Sequence, residues 1–149
     1  MNWSLSILLA NAVSTLFMVG LIWLVQIVHY PLFDYVGEQN HVRYHHRHQT
    51  NISLIVGPVM LVEMVTTILL IWFPMEAVSK PLVYLGIGLV ALIWLSTALI
   101  QVPCHEKLAK GFDPVAYQWL VHSNWIRTVA WSARGALVTW MLARIMSDS

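Results

Sequence analysis

The chain has 149 residues, of which 58% are hydrophobic and 10% charged, with a mean hydropathy of +0.68. Ordinary globular proteins carry roughly 25% charged residues, so the composition points away from a soluble domain and toward an integral membrane protein. A formal charge of +1 leaves no electrostatic footprint for nucleic acid, and the one cysteine, Cys104, excludes an intramolecular disulfide and any CxxC-type zinc or redox motif.

The N-terminal stretch MNWSLSILLANA lacks Lys and Arg, and its apolar run continues to Val28. A retained first span is therefore expected rather than a cleaved signal peptide. It should cover about 5–28, long enough for the ~20 apolar residues of a crossing helix. His29-Tyr30-Pro31 should end it, because the residue before a proline disfavours the helical region. A polar loop over 34–49 follows, with Asp34, Glu38, Arg43, Arg47 and four of the seven histidines, in the run HVRYHHRHQTN.

Span two is expected over about 52–73, kinked at Gly57-Pro58 and ended by Phe73-Pro74. The short MEAVSKP connection makes spans two and three antiparallel neighbours. Span three should cover about 82–100, with Gly86 and Gly88 permitting close helix approach, and Gln101-Val102-Pro103 stopping it. A second long loop, 104–123, carries a short interfacial helix at 116–121 with Tyr117 and Trp119 at the headgroups. Span four then runs over about 124–146. The fold class is all-α: one domain, an antiparallel four-helix bundle integral to the membrane.

Four spans put both termini on one side and the two long loops on the other. The long-loop side carries Arg43, Arg47, Lys107 and Lys110, with Arg127 one turn into span four; the terminal side carries Lys80 and Arg144. The positive-inside rule places the long loops in the cytoplasm and both termini outside, in what would be a bacterial inner membrane.

Polar residues within the spans are the functional signal. Asn11, Thr15, Met18, Ile22, Gln26 and His29 form a stripe on span one; Gln49, Ile52, Val56 and Glu63 one on span two; Trp94, Thr97 and Gln101 one on span three. On span four, Asn124, Arg127, Trp131 and Arg134 follow at i+3 or i+4. Deep charges are costly in lipid and face the interior in pairs. Glu63 and Arg134 lie at similar depth, so they are expected to pair, directly or through a polar cavity. Trp94 and Trp131 sit deep enough to line a flat aromatic ligand.

The topology also gathers histidines. His29 ends span one, His48 opens span two, His105 follows span three and His122 opens span four, and neighbouring helix ends lie about 10 Å apart. If span two extends upstream as a helix, His41, His45 and His48 share a face. Neutral imidazole is a common metal ligand, so His29, His45, His48, His105 and His122 are candidate ligands for one transition metal. No ligand motif of known spacing accompanies them, and headgroup contacts would suit histidines equally. The cofactor is accordingly either none or one His-bound metal. Cys104 beside His105 is more often inert than a soft ligand.

The His-Tyr-Pro turn after span one and the fourth-span sequence NWIRTVAWSARG, Asn124 to Gly135, resemble the anthrone oxygenase-like family of small four-span membrane proteins. The resemblance implies an internal oxygenase that converts polyketide anthrones to anthraquinones without bound metal or flavin. It favours Asn124, Arg127, Trp131 and Arg134 as site positions. The first-loop histidines are not part of that pattern.

The leading expectation is a membrane oxidoreductase acting on a lipophilic aromatic or quinone-like compound, in a pocket opening toward the long loops. A histidine such as His122 would take a proton, and Arg127 or Arg134 would stabilise the anion, with Asn124 and Glu63 completing the site. Two other readings stay open: a non-enzymatic accessory or assembly subunit, and a metal-ion or small-molecule carrier. Lipid is the expected environment, and Gly86 and Gly88 would suit a homo-oligomer as well as intramolecular packing.

Overall fold

A computed structural model of the protein describes residues 3–147, and every regular element in it is helical. Helix α1 (Trp3–Leu24) continues through a π-helical turn, Val25–His29, into a 3-10 turn, Tyr30–Tyr35. After a short bend, α2 runs from Glu38 to Leu69. Helix α3 (Lys80–Ser96) passes through a second π-turn, Thr97–Gln101, into α4 (Val102–Leu108), and α5 spans Pro114–Ser147. Helix α1 packs on α2 and α5, and α3 packs on α5 and α2. Four long helices thus enclose one core.

Three of the expected boundaries are corrected. The polar loop over 34–49 is largely the first third of α2. No glycine or proline interrupts the chain between Glu38 and Val56, Glu38 in the first turn favours the positive helix end, and His41 and His45 bury one face. At about 1.5 Å per residue its 32 residues extend roughly 48 Å, well beyond the ~30 Å hydrocarbon core. Second, Pro103 does not stop the third helix. Its missing N–H and its ring disturb the turn before it, and the chain responds by widening: the Val102 N–H bonds the Thr97 carbonyl five residues back. Pro31 follows the same pattern, with the Tyr30 N–H on the Val25 carbonyl. Third, the interfacial helix at 116–121 and span four are one helix. Asp113 caps it, its Oδ1 accepting from the Val115 and Ala116 N–H at 2.9 and 3.0 Å, with Pro114 in the first turn.

Among the described residues, three stretches are long and apolar enough to cross a membrane: Trp3–Tyr35, Glu38–Leu69 and Lys80–Leu108. Helix α5 is not among them, because its buried side carries Asn124, Arg127, Thr128 and Arg134. The core is layered. One apolar cluster gathers Leu8, Leu70, Val83 and Leu137 toward the termini, a second gathers Met18, Met60, Ile93 and Trp131, and a third gathers Tyr30, Phe33, Leu108 and Leu120 toward the long loops. Polar layers separate them. Two glycines permit the close contacts: a Cβ on Gly135 would meet Val19 at 3.0 Å, and one on Gly86 would meet the Arg134 guanidinium at 3.2 Å. Nothing lies within 4 Å of a Cβ on Gly88, so only one of the two span-three glycines is needed for packing within the chain.

Candidate functional site

The deeper polar layer is closed. Arg134 Nε donates to Glu63 Oε1 at 2.8 Å, the pairing expected from depth, and both side chains are buried. Arg134 Nη1 donates to the Gly86 carbonyl at 2.8 Å, and Nη2 to Asn11 Oδ1, Thr15 Oγ1 and Thr67 Oγ1 at 3.0–3.2 Å. Thr15 Oγ1 at 2.7 Å and Trp131 Nε1 at 2.9 Å donate to the two carboxylate oxygens. Groups from α1, α2, α3 and α5 satisfy the pair completely. A buried ion pair so satisfied is a lock on helix register. Neither residue lines the cavity described next, so a substrate-binding role for Glu63 and Arg134 has no geometric support.

That cavity, about 260 Å3, lies one layer toward the long loops. Met18, Ile22, Val56 and Met60 form its apolar walls; Tyr30, His48, Trp94, Gln101, His105 and Arg127 bring the polar groups. Both π-turns contribute to it, Val25 from the first and Thr97 and Gln101 from the second, a frequent position for π-turns at functional sites. A groove of about 390 Å3 on the outer side of α1 and α2 shares Leu21, Val25, His48 and Ile52 with the cavity.

Arg127 differs from Arg134 in having no carboxylate. Among the described residues the Glu63–Arg134 contact is the only ion pair. Arg127 is 7% exposed, its Nε has no hydrogen-bond partner, and its guanidinium faces the Tyr30 hydroxyl and lies 5.2 Å from the Trp131 ring centroid. Trp131 thus joins the two layers, its N–H on Glu63 and its ring face under Arg127. Two more buried polar atoms on cavity residues lack partners, Trp94 Nε1 and Gln101 Oε1. Buried polar groups are nearly always satisfied; three of the seven side-chain atoms without a partner among the described residues belong to residues lining this cavity.

Imidazoles close its loop side. His29 Nε2 and His48 Nδ1 lie 2.8 Å apart, and His105 Nδ1 and His45 Nε2 3.1 Å apart. His105 Nε2 is 3.1 Å from the Tyr30 hydroxyl. His41 stacks on His45 with ring centroids 5.5 Å apart. An N···N hydrogen bond needs a donor on one ring and a bare nitrogen on the other, so each bonded pair holds at least one neutral imidazole.

Of the five proposed metal ligands, four therefore adjoin and one does not. His122 is exposed and its Nδ1 donates to the Gln118 carbonyl at 2.7 Å, and it does not line the cavity. The other four face one another as hydrogen-bonded pairs, and among the described residues no group of three or more His, Cys, Asp or Glu is placed to hold a metal ion. Asn124 is buried behind the cavity, its Nδ2 donating to Gln26 Oε1 at 2.8 Å. Cys104 is a half-buried free thiol. Tyr30 is the cavity residue that sequence reasoning passed over, since it read only as part of a helix-ending His-Tyr-Pro turn. No protein-family model, curated protein or solved structure matches the chain.

Proposed function

We propose that this is a four-span membrane protein that binds a lipophilic aromatic or quinone-like compound through an acidic or carbonyl oxygen and acts on it as an oxidoreductase of the oxygenase type. The observation that carries the reading is Arg127, a buried cation with no carboxylate at the wall of an apolar cavity. An uncompensated charge in such a place is costly, and a ligand anion is what would offset it.

Helix α5 supplies the fourth span in this reading. Its outward side chains Trp125, Ile126, Val129 and Trp140 are apolar and exposed while Arg127 and Arg134 are buried and the exposed Arg144 lies in its last turn, the distribution that suits lipid on the outside. Both termini then share one side, and the basic residues of the other put the long-loop side in the cytoplasm, in a bacterium at the inner membrane. At about 260 Å3 the cavity lies just below the ~300–1,000 Å3 typical of ligand pockets, a size for a flat aromatic of few rings.

Chemically, Arg127 holds the ligand oxygen and Trp94 and Gln101 fix the ring through their free donor and acceptor. The proton that the ligand loses ends on His105, which lines the cavity and lies 3.1 Å from the Tyr30 hydroxyl, and Arg127 stabilises the resulting anion. With dioxygen as co-reactant, an anthrone-type methylene becomes a carbonyl, a four-electron oxidation, and dioxygen supplies that oxygen atom and leaves its other as water. This is the reaction that the resemblance to the anthrone oxygenase-like family implies, now with Arg127 rather than Arg134 at the substrate.

The test is a titration of the purified protein, in nanodiscs, with a hydroxyanthraquinone dye whose visible spectrum reports ionisation of its phenol. Saturable binding with a shift toward the phenolate spectrum is expected, lost in Arg127→Met and kept in His122→Ala. A dye that stays in the lipid, with the same spectrum in wild type and Arg127→Met, would sink the proposal. Oxygen uptake with an anthrone substrate then separates turnover from binding.

A further inference from the structure

We infer that Tyr30, His105 and His45 form the path by which a proton passes between the cavity and the long-loop side. This rests on the ligand reading above and adds a route to it. The three groups make a continuous line of hydrogen bonds: Tyr30 hydroxyl to His105 Nε2 at 3.1 Å, and His105 Nδ1 to His45 Nε2 at 3.1 Å. They come from three separate elements, the turn after α1, α4 and α2, so the line is a tertiary arrangement and not a helical repeat. Its inner end lies in the cavity, where Tyr30 and Arg127 face each other. Its outer end, His45, is buried in the N-terminal third of α2.

Imidazole suits this task because it can accept at one nitrogen and release from the other. When a ligand hydroxyl held at Arg127 ionises, its proton goes to the Tyr30 oxygen, the Tyr30 proton to His105 Nε2, and the His105 Nδ1 proton to His45 Nε2. Each O–H or N–H broken is matched by one formed, and the negative charge stays on the ligand beside the guanidinium. The line continues toward His41. His45 Nδ1 and His41 Nε2, one turn apart on α2 with stacked rings, are both buried and both without a partner. The second imidazole pair does not compete as an exit. His48 is bonded to His29, and the groove on which both open is walled by Leu21, Leu24, Ile52 and Ile55, with the Arg47 cation beside it.

The test uses the full-length protein in nanodiscs with the hydroxyanthraquinone dye bound as phenolate. The complex is mixed rapidly into acidic buffer, and the loss of phenolate absorbance is timed; dye dissociation is timed separately by competition. In His45→Phe the protonation should slow at least ten-fold with dye affinity unchanged, and imidazole in the buffer should restore the rate of His45→Ala, which a merely structural role would not allow. His29→Phe should protonate as fast as wild type. Equal rates in wild type and His45→Phe, with dye bound in both, overturn the path while leaving the ligand reading standing. Absence of dye binding in wild type overturns both. Near-stoichiometric copper, iron or zinc in the purified protein, lost in His45→Phe, also overturns the path, since the metal would hold the nitrogens that must pass the proton.

Discussion

The two buried arginines should respond in opposite ways to the same substitution. Arg134→Met removes a guanidinium that donates to Glu63, to the Gly86 carbonyl and to three oxygens on α1 and α2. The Glu63 carboxylate stays buried, with only Thr15 and Trp131 as donors. Breaking a buried pair in this way costs about 3–5 kcal/mol, or roughly two to three and a half orders of magnitude in the unfolding constant. Arg127→Met removes a cation that has no ion partner and whose Nε is unbonded, and leaves a flexible apolar chain against apolar walls. Its stability should stay within about 1 kcal/mol of wild type, or rise. The assay is reversible unfolding of each variant in mixed micelles with increasing sodium dodecyl sulfate, followed by far-ultraviolet circular dichroism. Equal losses in the two variants would mean that Arg127 is as structural as Arg134, and the site argument would fall.

Gly86→Ala brings a Cβ to 3.2 Å from the Arg134 guanidinium, which its hydrogen bonds hold in place; it should lose about 1–2 kcal/mol by overpacking. Gly88→Ala meets nothing and should gain up to about 1 kcal/mol from helix propensity, and the same unfolding titration compares the two. Trp94→Phe deletes a buried N–H that has no partner in the protein, so stability should hold or rise. Dye affinity should fall about ten-fold, the worth of roughly one hydrogen bond, as read by the dye titration.

The Glu63–Arg134 pair was legible because depth is nearly a function of sequence position once helices are assigned, and two lone charges at one depth in apolar surroundings have few other partners. Helix order also put His29, His48, His105 and His122 at neighbouring helix ends; the structure pairs His29 with His48 and His105 with His45. What escaped followed from where helices end. With Pro103 and Pro31 read as stops, the π-turns that carry Gln101 and Val25 to the cavity could not be anticipated, and Tyr30 was taken for a terminator. The outward position of His122 was not legible because 104–123 was read as mostly loop. As part of α5 it lies five residues before Arg127, about 140° round the helix at 3.6 residues per turn, and so faces outward. The absence of a carboxylate for Arg127 is a tertiary fact that no local pattern reports.

Arg127 and Arg134 are seven residues apart, nearly two turns, and so lie on the same stripe of α5 about 10 Å apart in depth. Their different roles are set by α2, which runs in the same direction. At the level of Arg134 it presents Glu63; seven residues earlier it presents Val56, a cavity-lining residue. On the proposed reading one side chain separates a locked ion pair from an anion site, and Val56→Glu should convert the second into the first. Alone, a carboxylate at that position would be a buried charge costing several kcal/mol, but beside Arg127 much of that cost should be offset. A double-mutant cycle of Val56→Glu with Arg127→Met measures the coupling. It should be about 2–3 kcal/mol in favour of the pair, and Val56→Glu should no longer take up the dye. A coupling near zero would mean that the Arg127 cation does not reach the cavity, and with it the case for an anionic ligand there would be lost.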